Sequence, residues 1–133
     1  KIFLFGGKNE LNSLKNLQQN LENVILVADK LTFKQELQFI PHLDVMLSMD
    51  SGNAHIAAMY GIKVVTLWGN THPFAGFVPF NQPLENSLIP DLEKYPFLPT
   101  SVYGNKIVTG YQDAMQSITP EEVVAKISTN LYE

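Results

Sequence analysis

Residues 45–61 constrain the fold of this chain more than any other stretch. Val45-Met46-Leu47 is an apolar run short enough to be a buried strand. Asp50-Ser51-Gly52-Asn53 follows, four small or polar residues that suit a tight turn and a helix start. Ala54 to Tyr60 then reads as a compact helical run, and Gly61 sits where a helix usually stops in the left-handed conformation. The order is strand, turn, helix N-terminus. In an open parallel sheet such a turn lies at the carboxyl edge, where ligands bind.

The chemistry of that turn is specific. Backbone N–H groups at a helix start have no intrahelical partner, and the helix dipole adds about half a positive charge there. A phosphate or pyrophosphate satisfies both. Gly52 has no Cβ, so an anion can come close to its backbone. Asp50 would repel phosphate, so it reads as an acceptor for sugar hydroxyls or as a lock on the turn. His55 either faces the anion or packs beneath it. An ordinary capped helix accounts for the same residues, so this stretch alone does not decide.

The rest of the chain supplies the context. Ile2-Phe3-Leu4-Phe5 reads as a buried strand ended by Gly6-Gly7, and Leu11, Leu14, Leu17 and Leu21 recur at roughly helical spacing, predicting an amphipathic helix over 9–23. Residues 24–28 form a second apolar strand. Thr32 with Gln35 three residues on is a capping-box pattern, opening a helix whose stripe is Phe33, Leu37 and Ile40 and which Pro41 ends. Residues 43–49, 53–60 and 63–68 continue as strand, helix and strand, with Trp68 read as core. This alternation predicts an α/β domain with a parallel sheet.

After Trp68 the character changes. Residues 69–104 hold six of the eight prolines and many aromatics (Phe74, Phe77, Phe80, Tyr95, Phe97 and Tyr103), which predicts a long, ordered, irregular excursion that covers a cleft, binds an acceptor or packs as a satellite cluster. Ile107-Val108 reads as a short last strand. Thr119-Pro120-Glu121-Glu122 is a strong helix start, and Val123, Val124, Ile127 and Leu131 give the closing helix its buried face.

Composition excludes several classes of function. With 133 residues, 45% of them hydrophobic and 17% charged, the chain is globular and fits one domain, 1–133. A formal charge of −4 argues against nucleic acid as a partner. There is no cysteine, and His42, His55 and His72 do not pair at metal-ligand spacing, so neither a disulfide framework nor a zinc centre is expected. No apolar run approaches membrane-spanning length, and no signal-peptide pattern is present. The sequence opens at Lys1 inside an apolar run, as a fragment of a longer protein would.

Several of these features converge on one family. MDSGNAHIAAMYGIKVVTLWGNTHP (49–73) resembles the signature of glycosyltransferase family 9, the lipopolysaccharide heptosyltransferases: an acidic residue, a small hydroxyl residue, Gly and a His three residues on, then an Ala-rich helix, a strand and a Gly-x-Thr-x-Pro turn. Those positions are Asp50, Ser51, Gly52, His55, Gly69, Thr71 and Pro73. FLFGGKNEL (3–11) resembles the family's strand-Gly-Gly-x-x-Glu element, and SITPEEVVAKI (117–127) its closing helix. The likeness leaves out residues 74–110.

The resemblance implies a Rossmann-like parallel sheet flanked by helices, the C-terminal, donor-binding half of a GT-B enzyme that lacks its first strand. Such an enzyme transfers heptose from ADP-heptose to a lipopolysaccharide core acceptor. The implied donor-binding set is Gly7, Lys8, Glu10, Leu31, Thr32, Asp50, Ser51, Gly52, Asn53, His55 and Thr71. In it the Ser51 and Gly52 amides hold the diphosphate, Asp50 contacts the transferred sugar, Glu10 the ribose, and Leu31 and Thr32 border adenine. Lys8 partly substitutes for a basic phosphate contact of the absent first strand. No metal or other cofactor is implied. The general base is expected in the absent N-terminal domain, through which the acceptor would also bind, so this chain alone is expected to bind weakly and to catalyse nothing. A cytoplasmic location with peripheral association at the inner membrane is the matching expectation.

Two other readings stay open on the residues. A transferase of the same architecture using a UDP- or GDP-sugar differs only in its base pocket. A flavodoxin-like or receiver-like binding module needs no catalysis, though Asp29, Asp44 and Asp50 do not form a receiver's carboxylate cluster. A nicotinamide-binding domain is weaker still, because no Gly-x-Gly-x-x-Gly follows a strand.

Overall fold

The computed structural model describes residues 1–132, which fall into two compact units, Lys1–Phe39 and Ile40–Glu133. In the first, β1 (Ile2–Leu4) pairs in parallel with β2 (Val24–Leu26), Phe3 opposite Ile25. Between them run a 3-10 turn at Lys8–Glu10 and α1 (Leu11–Gln18), which packs on β2. α2 (Phe33–Phe39) follows, and its Phe39 ring meets Phe3 edge-on at 4.9 Å and Phe5 at 6.0 Å. Val24, Leu26, Val27 and Ala28 are buried.

Two expectations change here. The helix expected over 9–23 runs only from Leu11 to Gln18, because Gln19 turns to φ 46° after its N–H makes the last helical bond, to Lys15 O at 3.0 Å. Leu17 and Leu21 are accordingly exposed, as is Phe33 at the start of α2. The capping box at Thr32 forms as the spacing predicts. Thr32 N–H donates to Gln35 Oε1 at 2.9 Å and Gln35 N–H to Thr32 Oγ1 at 3.3 Å.

The second unit is built on β3 (Val45–Met49), β4 (Lys63–Leu67) and β5 (Ser87–Leu88), all parallel, in the order β3-β4-β5. β4 is central, and Val64, Val65, Thr66 and the following Trp68 are fully buried, the near-continuous burial of a strand covered on both faces. α3 (Gly52–Met59) packs on β3 and β4, and the buried Ala54, Ala57 and Ala58 let it sit close. Gly61, at φ 77°, ends it: Gly61 N–H reaches Ala58 O and Ile62 N–H reaches Ala57 O, both at 3.0 Å. That pair is a Schellman motif. α4 (Pro120–Tyr132) also packs on β3 and β4.

The excursion after Trp68 is ordered, as its aromatics predict, but it is not wholly irregular. It contains β5, whose Ser87 and Leu88 pair with Thr66 and Leu67. Ile107-Val108 forms no strand, and Ile107 is 94% exposed. β4 itself has β3 on one edge and β5 on the other. The first residues of β4 are served differently, by Gln82, whose side chain accepts from Val64 N–H at 2.8 Å and donates to Ile62 O at 3.2 Å. On α4, Val123 and Ile127 are half-buried while Val124 and Leu131 are exposed, so the inward face is narrower than predicted. Among the described residues no helix is long and apolar enough to cross a membrane.

Candidate functional site

The turn between β3 and α3 is formed as the sequence predicts. Ser51 is the N-cap residue, extended at φ −151° and ψ 165°. Its hydroxyl does not cap the helix; it pairs with Ser48 Oγ at 2.8 Å. The first-turn amides therefore lack the side-chain acceptor that N-cap residues usually provide. A Cβ on Gly52 would meet nothing within 4 Å, so the approach to those amides is open. Asn53 is half-buried and His55 exposed, so His55 does not pack beneath the turn.

Asp50 is held from a distance in sequence. Thr71, on the turn that follows β4, donates its hydroxyl to Asp50 Oδ2 at 3.0 Å. Both residues border a cavity of about 470 Å³, together with Asn70, Tyr103, Tyr111 and Gln112. This volume lies in the range of small-ligand sites. The turn carrying Tyr103 is pressed against Asn70 and Thr71. At Gly104, with φ +64°, a Cβ would sit 2.9 Å from Thr71 Cγ2 and 3.0 Å from the Asn70 backbone carbon. No side chain other than hydrogen fits there. Thus the structure joins Asp50, Ser51, Gly52, Asn53 and Thr71 around one sheet edge. It adds Asn70, Tyr103, Tyr111 and Gln112, which sequence reasoning did not assign. Only Tyr103 carried a signal, as one of the aromatics of the stretch after Trp68.

In the first unit, Gly7 is the N-cap of the Lys8–Glu10 turn, and its N–H donates to Glu10 Oε2 at 2.7 Å. The Glu10 carboxylate is thereby the local lock of that turn, with its other oxygen left to accept elsewhere. Gly7, Lys8 and Glu10 are exposed. Leu31 is half-buried and Thr32 exposed at the start of α2. Both groups follow the carboxyl ends of their strands. Among the described residues, no group of three or more His, Cys, Asp or Glu is placed to hold a metal ion.

His72 caps a different turn. Its Nδ1 accepts from Phe74 N–H at 3.1 Å, opening the 3-10 turn Pro73–Ala75, and its ring lies 4.9 Å from the Phe74 ring.

Parallel sheets flanked by helices, with a helix start at a strand's carboxyl end, define an α/β protein of the Rossmann-like class. The fold has solved counterparts. A glycosyl transferase family 9 structure from Veillonella parvula DSM 2008 matches 98% of this chain with a TM-score of 0.72, at 20% identity. The E. coli ADP-heptose lps heptosyltransferase II matches 98% with a TM-score of 0.66, also at 20% identity. The chain spans 36% of the length of each. The sequence profile of glycosyltransferase family 9 (heptosyltransferase) matches residues 1–101, and the chain belongs to that family. No curated protein matches it significantly in sequence.

Proposed function

We propose that this chain is the donor-binding part of a transferase that moves heptose from ADP-heptose to a lipopolysaccharide core acceptor. One observation carries the reading: the uncapped start of α3 at Ser51-Gly52 opens to solvent one residue after Asp50, a carboxylate that borders a cavity. Backbone amides there take the diphosphate, and their fixed dipoles stabilise the charge that develops on it as the sugar departs. Asp50, oriented by Thr71, accepts hydroxyls of the transferred sugar. Glu10 is given the ribose, and Leu31 and Thr32 the adenine, by likeness to the family; Gly7 and Lys8 belong to the same turn as Glu10.

This reading routes the leaving group through amides and uses no metal. The general base and acceptor belong to the part of the relatives that this chain does not span, and peripheral association with the inner membrane fits the acceptor. The chain alone binds the donor and turns nothing over.

A nuclear magnetic resonance titration with ADP, UDP and GDP in parallel tests it. The expected result is movement of the Ser51 and Gly52 amides with ADP preferred. Equal responses would keep the diphosphate turn and reopen the nucleotide. Silence toward all three would remove the donor site.

A further inference from the structure

Part of the wall of the cavity beside Asp50 lies outside the family's sequence match. Tyr103, Tyr111 and Gln112 all lie beyond residue 101, where the family match ends. We propose that Tyr103 and Tyr111 form the sugar-ring subsite of the donor and act as specificity-determining residues for the transferred sugar. The proposal rests on the donor-binding reading above.

The lining states what kind of group fits. Asp50 offers acceptors, Asn70 and Gln112 offer amides, Thr71 a hydroxyl, Tyr103 an exposed ring with a polar tip, and Tyr111 a ring held in place by Phe97 and Tyr95. Among the described residues no lysine or arginine lines the cavity, so a second phosphate finds no counter-charge from them. A neutral ring bearing several hydroxyls and an apolar C–H face matches this mixture. Connectivity agrees, since Asp50 on the cavity is the immediate neighbour of Ser51 on the diphosphate turn. The diphosphate of a nucleotide sugar joins the nucleoside ribose to the transferred sugar, and with the ribose given to Glu10 the transferred sugar is the group left for this cavity.

The wall is also rigid and mechanically tied to the carboxylate. The Tyr111 hydroxyl accepts from Phe97 N–H at 3.1 Å, and its ring meets Tyr95 edge-on at 5.1 Å. Tyr95, Leu98 and Ala114 form a buried cluster beneath it. Tyr103 is 76% exposed at the lip, its ring 6.1 Å from Phe77. Its turn is closed by Gly104 N–H to Ser101 O at 3.1 Å and Asn105 N–H to Ser101 Oγ at 3.1 Å. Gly104 then seats that turn on Thr71, which holds Asp50. The lip, the threonine and the carboxylate are one unit, so a change in the tyrosine turn alters how the sugar is held without touching the diphosphate.

The test compares two probes, ADP and ADP-heptose, by calorimetric titration of the full chain and of two exposed-site variants, Tyr103→Ala and Tyr103→Phe. Tyr103 carries little burial, so neither change threatens folding. In Tyr103→Ala, affinity for ADP-heptose is expected to fall by about tenfold while affinity for ADP stays within about twofold; Tyr103→Phe recovers most of the loss, because the ring face is retained. Equal losses for both probes, or no loss for either, would overturn the subsite. Failure of the unmodified chain to bind ADP would overturn the donor-binding reading itself. Intact ADP binding with an unchanged preference for ADP-heptose removes only the tyrosine wall.

Discussion

At Gly52 the requirements of the fold and those of the proposed ligand separate. Among the described residues nothing lies within 4 Å of where a Cβ would sit, so adding one costs the fold little. An anion approaching the first-turn amides needs that same space. Gly52→Val should therefore change stability by less than about 0.5 kcal/mol, as exposed substitutions commonly do, while lowering ADP affinity by at least about tenfold. Thermal unfolding beside calorimetric titration checks both halves. A variant that binds ADP normally would show that the anion goes elsewhere. The residues of this turn were legible in sequence because their arrangement is local: strand end, small polar turn and helix start lie within a few positions. Thr71 was legible only through the family pattern. Its bond to Asp50 spans 21 positions and no local rule announces it. Tyr103 was legible only as one aromatic of the excursion and Tyr111 not at all, since Tyr103 reaches the cavity where Gly104 docks on Thr71 and Tyr111 where it packs on Tyr95 and Phe97.

Elements were readable where their signals sit three or four residues apart. The box at the start of α4 is an example: Thr119 N–H donates to Glu122 Oε2 at 2.7 Å, and Glu122 N–H donates back to Thr119 Oγ1 at 3.2 Å. β5 was not readable, because two residues carry no period and its existence depends on the free edge of β4. Gln82 completes that edge by side-chain bonds that no spacing predicts. The Thr119 box has a consequence for pH. Hydrogen bonds from the Thr119 backbone and then its side chain hold the Glu122 carboxyl below its ordinary value. A carboxylate with a depressed folded pKa favours the folded helix start above its unfolded pKa. That contribution is lost as pH falls through the folded value. The first turn of α4 should thus loosen only on the acid side of the ordinary glutamate range. Following the Thr119 amide by nuclear magnetic resonance from neutral pH downward should show one acid transition, absent in Glu122→Ala. A Thr119 amide that shifts near neutrality would contradict this.

Across the whole molecule the two units differ in what each can sustain. Lys1–Phe39 has a two-stranded sheet, two short helices and four fully buried apolar residues, Val24, Leu26, Val27 and Ala28. A two-stranded sheet is marginal in water, and domains below about 40 residues usually need disulfides, metals or oligomerisation to fold. This sequence has no cysteine. Ile40–Glu133, by contrast, has a three-stranded parallel sheet whose central strand buries Val64, Val65 and Thr66 and has helices α3 and α4 packed on it. Residues 1–39 made as a peptide should therefore show little secondary structure by circular dichroism, and residues 40–133 should give a dispersed amide spectrum and unfold cooperatively in urea. The functional corollary is sharper. Ser51, Gly52, Asp50, Thr71 and the tyrosine wall all lie in the larger unit, so residues 40–133 should keep the response of the Ser51 and Gly52 amides to inorganic pyrophosphate. If the larger unit folds but those amides no longer respond, the anion contacts cannot be those of the α3 start alone. Retention would place the diphosphate grip in the larger unit.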